Sequence, residues 1–524
     1  MSTSPAIIIK KFRIEGALNV FWHRQGSTEL TRFIQILAWI FVAASAVPCR
    51  QAASVPPTTV SIKEKIAVLL NSSPVVQHGR VGYKFVKVET GEVLAEGGSS
   101  TFFTPASNTK LYTTATALVR LGADYRFHTE LRTSSAWMPG QRAINDLVLV
   151  GGGDPNLSGR TLPYLADEPE GDPLQAFKQL ADQVAGEGIR EIKGNILGVN
   201  TRYEGDAYPD GWTLDDSAYS YGAPVSALSL NDNTVTLILR PTQAGELAAV
   251  ETCPSPSGFI VLNQVVTDDS KSSHVQFHRL PGSNEVIVSG TIGKSVDGWR
   301  EDLGVNDPAL FAAETMADLL RDRGITVRGE PRSAISVPVG GTLLAARESA
   351  PLSEMIRVIN KVSQNLHAEM LLREVAFCRT GAGTLQNGLK EREAFLRETD
   401  ITRKGTGVAL EDGSGLARQD LTTPDSTVAL LRYMWSRPER DVWLRSLPIG
   451  GLDGSLEHRF RKIAGAQRVH AKTGSLAHVN ALSGYIETQK SGWLAFSIMV
   501  NGTVGQQAQV REFIDQLCGI FLGL

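Results

Sequence analysis

Of the 524 residues, 42% are hydrophobic and 20% charged, an ordinary globular balance in a chain long enough for two or more cores, since single cores rarely grow past about 250–300 residues. Lysine and arginine number 52 against 55 aspartates and glutamates, so the net charge of −3 gives a nucleic-acid partner no electrostatic support. Four widely spaced cysteines, Cys49, Cys253, Cys378 and Cys518, form no CxxC pair, which argues against a zinc ribbon or thioredoxin-like site and leaves too few for a disulfide framework.

The first predicted element is an export signal. Lys10, Lys11, Arg13, Arg24 and Arg32 precede an apolar run from Phe33 to Val47, and Ala44-Ser45-Ala46 supplies an A-x-A cleavage site. The run falls short of the roughly 20 residues that span a bilayer, so residues 1–46 read as a cleaved signal peptide rather than a retained anchor. That places the mature protein in the periplasm or cell envelope. The positive front is longer than a signal peptide needs, which sets the expectation of a true start codon downstream of residue 1. A lipid anchor on Cys49 is disfavoured by Pro48, where a small residue is wanted.

Residues 47–60 read as a linker, including the Pro-containing stretch RQAASVPPTTV. SIKEKIAVLLNSS is helical, and VGYKFVKVETGEVLAEGGS alternates around a Thr-Gly turn as a hairpin. In TFFTPASNTKLYTTATALVRLG, apolar Leu111, Ala115, Leu118 and Leu121 recur at helical spacing, which puts Ser107 near a helix N-terminus. From Asp124 to Ala346 the texture is β-rich, with runs such as NDLVLVGGG, NTVTLILRP and SNEVIVSGTI interrupted by two helical segments. Helical sequence returns in SEMIRVINKVSQNLHAEMLLREVAF, followed by the strand pair ALSGYIETQKSGWLAFSIMVNG and a closing helix, VREFIDQLCGIFLGL. The pattern is α+β: a catalytic domain over 61–123 and 347–524, and inserted β-rich accessory domains over 124–346.

Three short motifs stand in order: Ser107-Asn108-Thr109-Lys110, Ser363-Gln364-Asn365 and Lys472-Thr473-Gly474. Each alone has a bland reading, as N-cap, helix junction or strand-end charge; together, each in its expected element, they specify acyl transfer. A serine hydroxyl needs a base, and Lys110, three residues along a helix from Ser107, shares its face. A lysine serves as base only when neutral, and burial with a second cation, Lys472, favours that form. Ser363 would pass a proton to a leaving amine and Asn365 would hold a substrate amide. Gly474 would let a substrate strand lie close, Lys472 and Thr473 would bind a terminal carboxylate, and the N–H of Ser475 would join that of Ser107 in an oxyanion hole.

This motif set resembles that of penicillin-binding proteins and β-lactamases. The segments GGGDPNL (151–157), YGAPVSALSLNDN (221–233), SQNLHAEMLLR (363–373) and DGSGLAR (412–418), with the long insertion between the first two motifs, are similar to one subgroup. This is the D-alanyl-D-alanine carboxypeptidase/endopeptidase family, the class C low-molecular-mass penicillin-binding proteins of peptidase family S13. The resemblance implies a penicillin-binding/β-lactamase-like transpeptidase fold, peptidoglycan stem peptides as substrate, β-lactams as covalent inhibitors, and no metal or cofactor. It also offers Asp154 and Arg418 as contacts for the substrate's diamino-acid side chain, beside their plain reading as turn or capping residues.

Rival readings are a β-lactamase-like hydrolase, distinguished by fast turnover of penicillin, and a non-catalytic wall-binding protein, disfavoured because Ser107, Lys110 and Lys472 are all present. His367, His458, His470 and His478 show no metal-ligand spacing and read as packing or surface residues. GTIGKS (290–295) fails as a phosphate loop because Val288 stands where glycine is required, and Gly413-Ser414-Gly415 lacks the first glycine of a nucleophile elbow. Glu393-Ala394-Phe395-Leu396 resembles a deacylating glutamate segment by coincidence on an exposed helix.

Overall fold

The strand pair near the C-terminus organises the core. In the computed structural model, which describes residues 61–166, 171–255, 258–402, 407–505 and 507–524, these strands are Val479–Glu487 and Trp493–Asn501. They sit at the centre of a five-stranded antiparallel sheet ordered Val469–Leu476, Val479–Glu487, Trp493–Asn501, Arg80–Lys87, Val93–Gly97. The predicted hairpin thus joins the C-terminal strands across the length of the chain. The predicted signal peptide, the linker and Cys49 lie outside the described residues.

Both faces of this sheet are covered, which is why its central strands read as nearly continuous apolar runs. One face, with Phe85, Leu482 and Phe496, packs against Phe513, Leu517 and Phe521 of the C-terminal helix Gln507–Leu522 and Ile66 of the helix Ile62–Ser72. Ser61 and Glu64 close a capping box at the start of the latter. The other face, with Tyr485 and Ala495, packs against Leu111, Ala115 and Leu118 of the helix Thr109–Leu121, the predicted apolar stripe. Each fully buried leucine there contributes roughly 1.5–3 kcal/mol of burial.

Among the described residues four further sheets all fall between His128 and Glu348. A five-stranded sheet shares its core with the helices Gln175–Gly186 and Pro308–Asp322, the two helical segments predicted within the insert. Two three-stranded sheets share a smaller core of Leu237, Leu239, Val265, Val288 and Ile292, and the fourth sheet joins three two-residue strands. Residues 61–524 pack as one compact unit, so these sheets lie against the rest of the chain rather than apart from it. Among the described residues no helix is long and apolar enough to cross a membrane.

Candidate active site

Ser107 sits in a short 3-10 turn, Ala106–Asn108, that runs into the helix Thr109–Leu121. The turn is strained: Ala106 has φ 50°, a left-handed value that costs a side-chain-bearing residue energy. Two contacts hold it. Gly415 (φ 86°) lies so close that a Cβ there would meet the Ala106 carbonyl oxygen at 1.9 Å. On the other side a Cβ on Gly474 would meet the Pro105 carbonyl oxygen at 2.4 Å. Glycine is therefore required at both positions, and the serine is wedged between the loop at 412–418 and the strand Val469–Leu476.

Three residues along the helix, Lys110 is fully buried and its Nζ donates to Ser107 Oγ (3.0 Å), Asn365 Oδ1 (2.6 Å) and the Ser414 carbonyl (2.7 Å). Burial pushes this ammonium down to about 8, while the carboxylates of Asp412, Glu369 and Asp420 pull the other way. Lys472 is equally buried and is pushed well below the usual lysine range, first by burial and then by the charge of Lys110. The repulsion acts on Lys472, whereas Lys110 is lowered by desolvation and not by Lys472 as expected.

Ser363 occupies the turn between the helices Leu352–Lys361 and Asn365–Thr380, with φ 65°. That left-handed turn is what lets Ser363 and Asn365, two positions apart, serve one cleft. Lys472 Nζ donates to Ser363 Oγ at 2.9 Å and to the Thr473 carbonyl at 2.9 Å. Asn365 is more engaged than its predicted role required: beyond receiving the Lys110 bond, its Nδ2 donates to the Tyr221 carbonyl at 2.8 Å. The turn is braced from the insert by Asp232, which accepts from Gln364 Nε2 (2.7 Å) and Arg160 Nη2 (2.7 Å) and pairs with His367 Nε2 (2.8 Å). Burial would raise the Asp232 carboxyl, but Arg160 and His367 outweigh it and hold the group well below the usual carboxylate range.

The strand Val469–Leu476 presents Thr473 half-buried, with its Oγ1 donating to Ser455 Oγ at 2.7 Å. Ser475 is exposed on the same strand. Asn108 Nδ2 donates to the Lys472 carbonyl at 3.0 Å and locks this strand to the serine turn. The loop carrying Ser455 is fixed in turn by an ion pair between buried Lys361 and half-buried Asp453.

Eight of the ten predicted site residues converge: Ser107, Lys110, Ser363, Asn365, Lys472, Thr473, Gly474 and Ser475. Asp154 does not join them. It is fully buried, its Oδ1 accepts from the Asn156 N–H (2.9 Å), its Oδ2 lies 4.0 Å from Arg347 Nε, and burial raises its carboxyl. Its side chain is as buried as those of Lys110 and Lys472, and it lies in the loop that follows the strand Leu147–Val150, with Arg347 as its nearest cation. Arg418 is exposed beside Gly211, whose carbonyl lies 3.5 Å from its backbone N–H.

Sequence reasoning missed the Ser414 carbonyl, Asp412, Asp232 and the Tyr221 carbonyl. Asp412 caps four groups of its own loop, Ser414 Oγ and the N–H groups of Gly415, Leu416 and Ala417, and so aims the Ser414 carbonyl at Lys110. The rejected Gly-Ser-Gly elbow was therefore a functional loop acting through its backbone. Asn231, Asp232 and Asn233 all have positive φ (49°, 55°, 55°), and Asn and Asp are the residues that tolerate it, so the NDN run carried a signal. Among the histidines, His367 is buried on Asp232 and His478 Nδ1 lies 2.8 Å from the Thr503 carbonyl. Burial pushes His470 down to about 4.

The sequence model of the D-Ala-D-Ala carboxypeptidase 3 (S13) family matches residues 62–521. The chain is 34% identical over 466 residues to the D-alanyl-D-alanine carboxypeptidase of Actinomadura sp. (strain R39), covering 85% of this chain and 81% of that protein. It is 26% identical to the D-alanyl-D-alanine carboxypeptidase DacB of Haemophilus influenzae, over 80% of this chain and 85% of that one. The crystal structure of penicillin binding protein 4 from Haemophilus influenzae superposes with a TM-score of 0.74 at 23% identity, covering 88% of this chain and 99% of that one, and shows the same fold. A family model spanning the three motifs and the segment between them, and a relative alike over most of both chains, lead to one conclusion: this chain belongs to the D-Ala-D-Ala carboxypeptidase 3 (S13) family.

Proposed function

We propose that the protein is an exported serine D-alanyl-D-alanine carboxypeptidase and DD-endopeptidase that cleaves D-alanyl bonds of peptidoglycan stem peptides and is acylated by β-lactams. The observation that carries this reading is a double pairing in one cleft: Lys110 Nζ 3.0 Å from Ser107 Oγ, and Lys472 Nζ 2.9 Å from Ser363 Oγ.

Ser107 is the nucleophile and Lys110, depressed to about 8, takes its proton. The backbone N–H groups of Ser107 and Ser475 hold the tetrahedral oxyanion. Asn365 keeps a second amide N–H for the substrate after its bond to Tyr221. Thr473 and Lys472 bind the carboxylate of the residue that leaves. The C–N bond then breaks, the amine departs with the proton that Lys110 took, relayed by way of Ser363 and the lysines, and water hydrolyses the ester on Ser107. Arg418, exposed next to the 412–418 loop, is a candidate for the diamino-acid side chain. Export rests on the apolar run and A-x-A site before residue 47.

Labelling with a fluorescent penicillin tests the reading. The wild type labels and Ser107→Ala does not; labelling that survives in Ser107→Ala moves the nucleophile elsewhere.

A further inference from the structure

A cleft of about 550 Å³ opens beside the turn that carries Ser363 and Asn365 and runs into the insert. That volume lies in the range of roughly 300–1,000 Å³ typical of sites for drug-sized ligands. Its near wall is Ser363, Asn365 and Tyr221; its far wall is the solvent face of the sheet built from Thr234–Arg240 and Trp299–Gly304. Residues two apart on a strand share a face, so Arg300 and Asp302 both project into the cleft, and Thr236, directly opposite Asp302 in register, donates to its Oδ1 at 2.6 Å. The face thus presents one cationic and one anionic side chain, with the hydroxyl of Thr236 beside the anionic one. Tyr221, 44% exposed, stacks on Tyr219 with ring centroids 5.3 Å apart and offers a rigid aromatic surface at the mouth.

The position of the cleft relative to the chemistry gives it a role, and this step rests on the reading of Ser363 in the proposed function. When the D-alanyl C–N bond breaks, the carbonyl carbon stays on Ser107 Oγ and the amine leaves with its proton past Ser363. Whatever is attached to that amine must lie on the Ser363 side. In carboxypeptidase action it is a single small amino acid, which needs no cleft of this size. In endopeptidase action it is a diamino acid acylated on its side-chain nitrogen and built into a second peptide strand.

We propose that this cleft is the subsite for the amine-side peptide strand of a D-alanyl cross-link, with Arg300 taking a strand carboxylate, Asp302 a strand ammonium, and Thr236 and Tyr221 lining its path. The insert then sets which bonds the enzyme cuts: the Ser107 centre is sufficient for a free D-alanyl-D-alanine end, and the cleft adds affinity only for cross-linked substrate.

The test uses the full mature protein with two synthetic substrates. One is a stem peptide ending in D-alanyl-D-alanine; the other is a dimer in which a D-alanine carbonyl is joined to the side-chain amine of a diamino acid in a second peptide. Arg300→Glu reverses a charge on an exposed face, and Thr236→Trp fills the cleft. Both variants are expected to lower kcat/KM on the dimer at least tenfold, through KM, while the rate on the single peptide and the rate of penicillin acylation stay within twofold. A dimer rate left unchanged, or a fall on both substrates together, overturns the subsite. Penicillin labelling of the wild type, run beside these assays, separates the two readings: failure to label refutes the active site, whereas labelling without dimer cleavage refutes the subsite alone.

Discussion

Two buried lysines are costly, and the cost is placed where the chemistry needs it. Lowering Lys110 from 10.5 to about 8 corresponds to about 3 kcal/mol against the folded state. The unfolded chain binds that proton more tightly between about pH 8 and 10.5, so the penalty is fully present below pH 8 and fades as pH rises toward 10.5. The same depression makes the neutral amine available. The rate of penicillin acylation is expected to rise with pH and level off above about 8, and Lys110→Met is expected to lose a factor of about 10²–10⁴. Stopped-flow acylation across pH checks both; a rate flat from pH 6 to 9 would remove Lys110 as the base. Asp232 behaves in the opposite sense. Its depressed carboxyl stabilises the fold above the ordinary aspartate range and loses that contribution as pH falls through its folded value. Asp232→Asn removes the negative charge that pairs with Arg160 and His367, so a loss of about 1–3 kcal/mol, read by denaturant unfolding, is expected together with slower acylation. Of these residues, Lys110 was legible from its spacing to Ser107. Asp232 was not, because its three partners come from positions 160, 364 and 367 and only the folded chain gathers them.

At the scale of elements, the site is where three pieces of backbone touch with almost no space between them. The turn Ala106–Asn108, the loop at 412–418 and the strand Val469–Leu476 approach so closely that glycine is required at 415 and 474. Gly474→Ala forces a Cβ to within 2.4 Å of backbone, which no side-chain rotation relieves. The expected result is a loss of about 1–3 kcal/mol and a displaced serine turn, seen as lower thermal stability and weaker penicillin labelling in the same sample. Normal labelling in that variant would show that the strand yields and the turn does not. The deacylating-glutamate resemblance also resolves at this scale. Glu393 lies on the helix Leu385–Glu398, exposed, with Arg397 3.8 Å away. The carboxylates close to Lys110 in this site, Glu369, Asp412 and Asp420, are buried and already accept bonds from the Gly413 N–H, the 412–417 loop and Thr109. With no free carboxylate among them to activate water, the penicilloyl adduct is expected to persist for many minutes, as mass spectrometry of the intact protein would record. Turnover within seconds would favour the β-lactamase-like reading.

For the molecule as a whole, the insert does more than extend the chain. It supplies the Tyr221 carbonyl that holds Asn365 and the Asp232 carboxylate that holds the turn before it, so part of the geometry of the proposed site belongs to residues far outside the three motifs. Its β-rich texture and its two helices were legible as short runs of alternating or helical apolar residues. Its docking was not, because beyond one small apolar patch of Val225 on Leu366 and Met370 the contacts with the Ser363 turn are made by polar side chains and backbone carbonyls that leave no periodic trace.

The sequence by itself determined the elements, the family resemblance and the three motifs, since these depend on local spacing: i and i+3 on a helix, a turn between helices, a glycine on a strand. Tertiary structure alone decided that Asp154 is buried beside Arg347, that the Ser414 carbonyl and Asn365 hold Lys110, and that a polar cleft opens beside Ser363. Burial, desolvation and carbonyl direction are properties of chain segments brought together over hundreds of residues, and no local pattern encodes them.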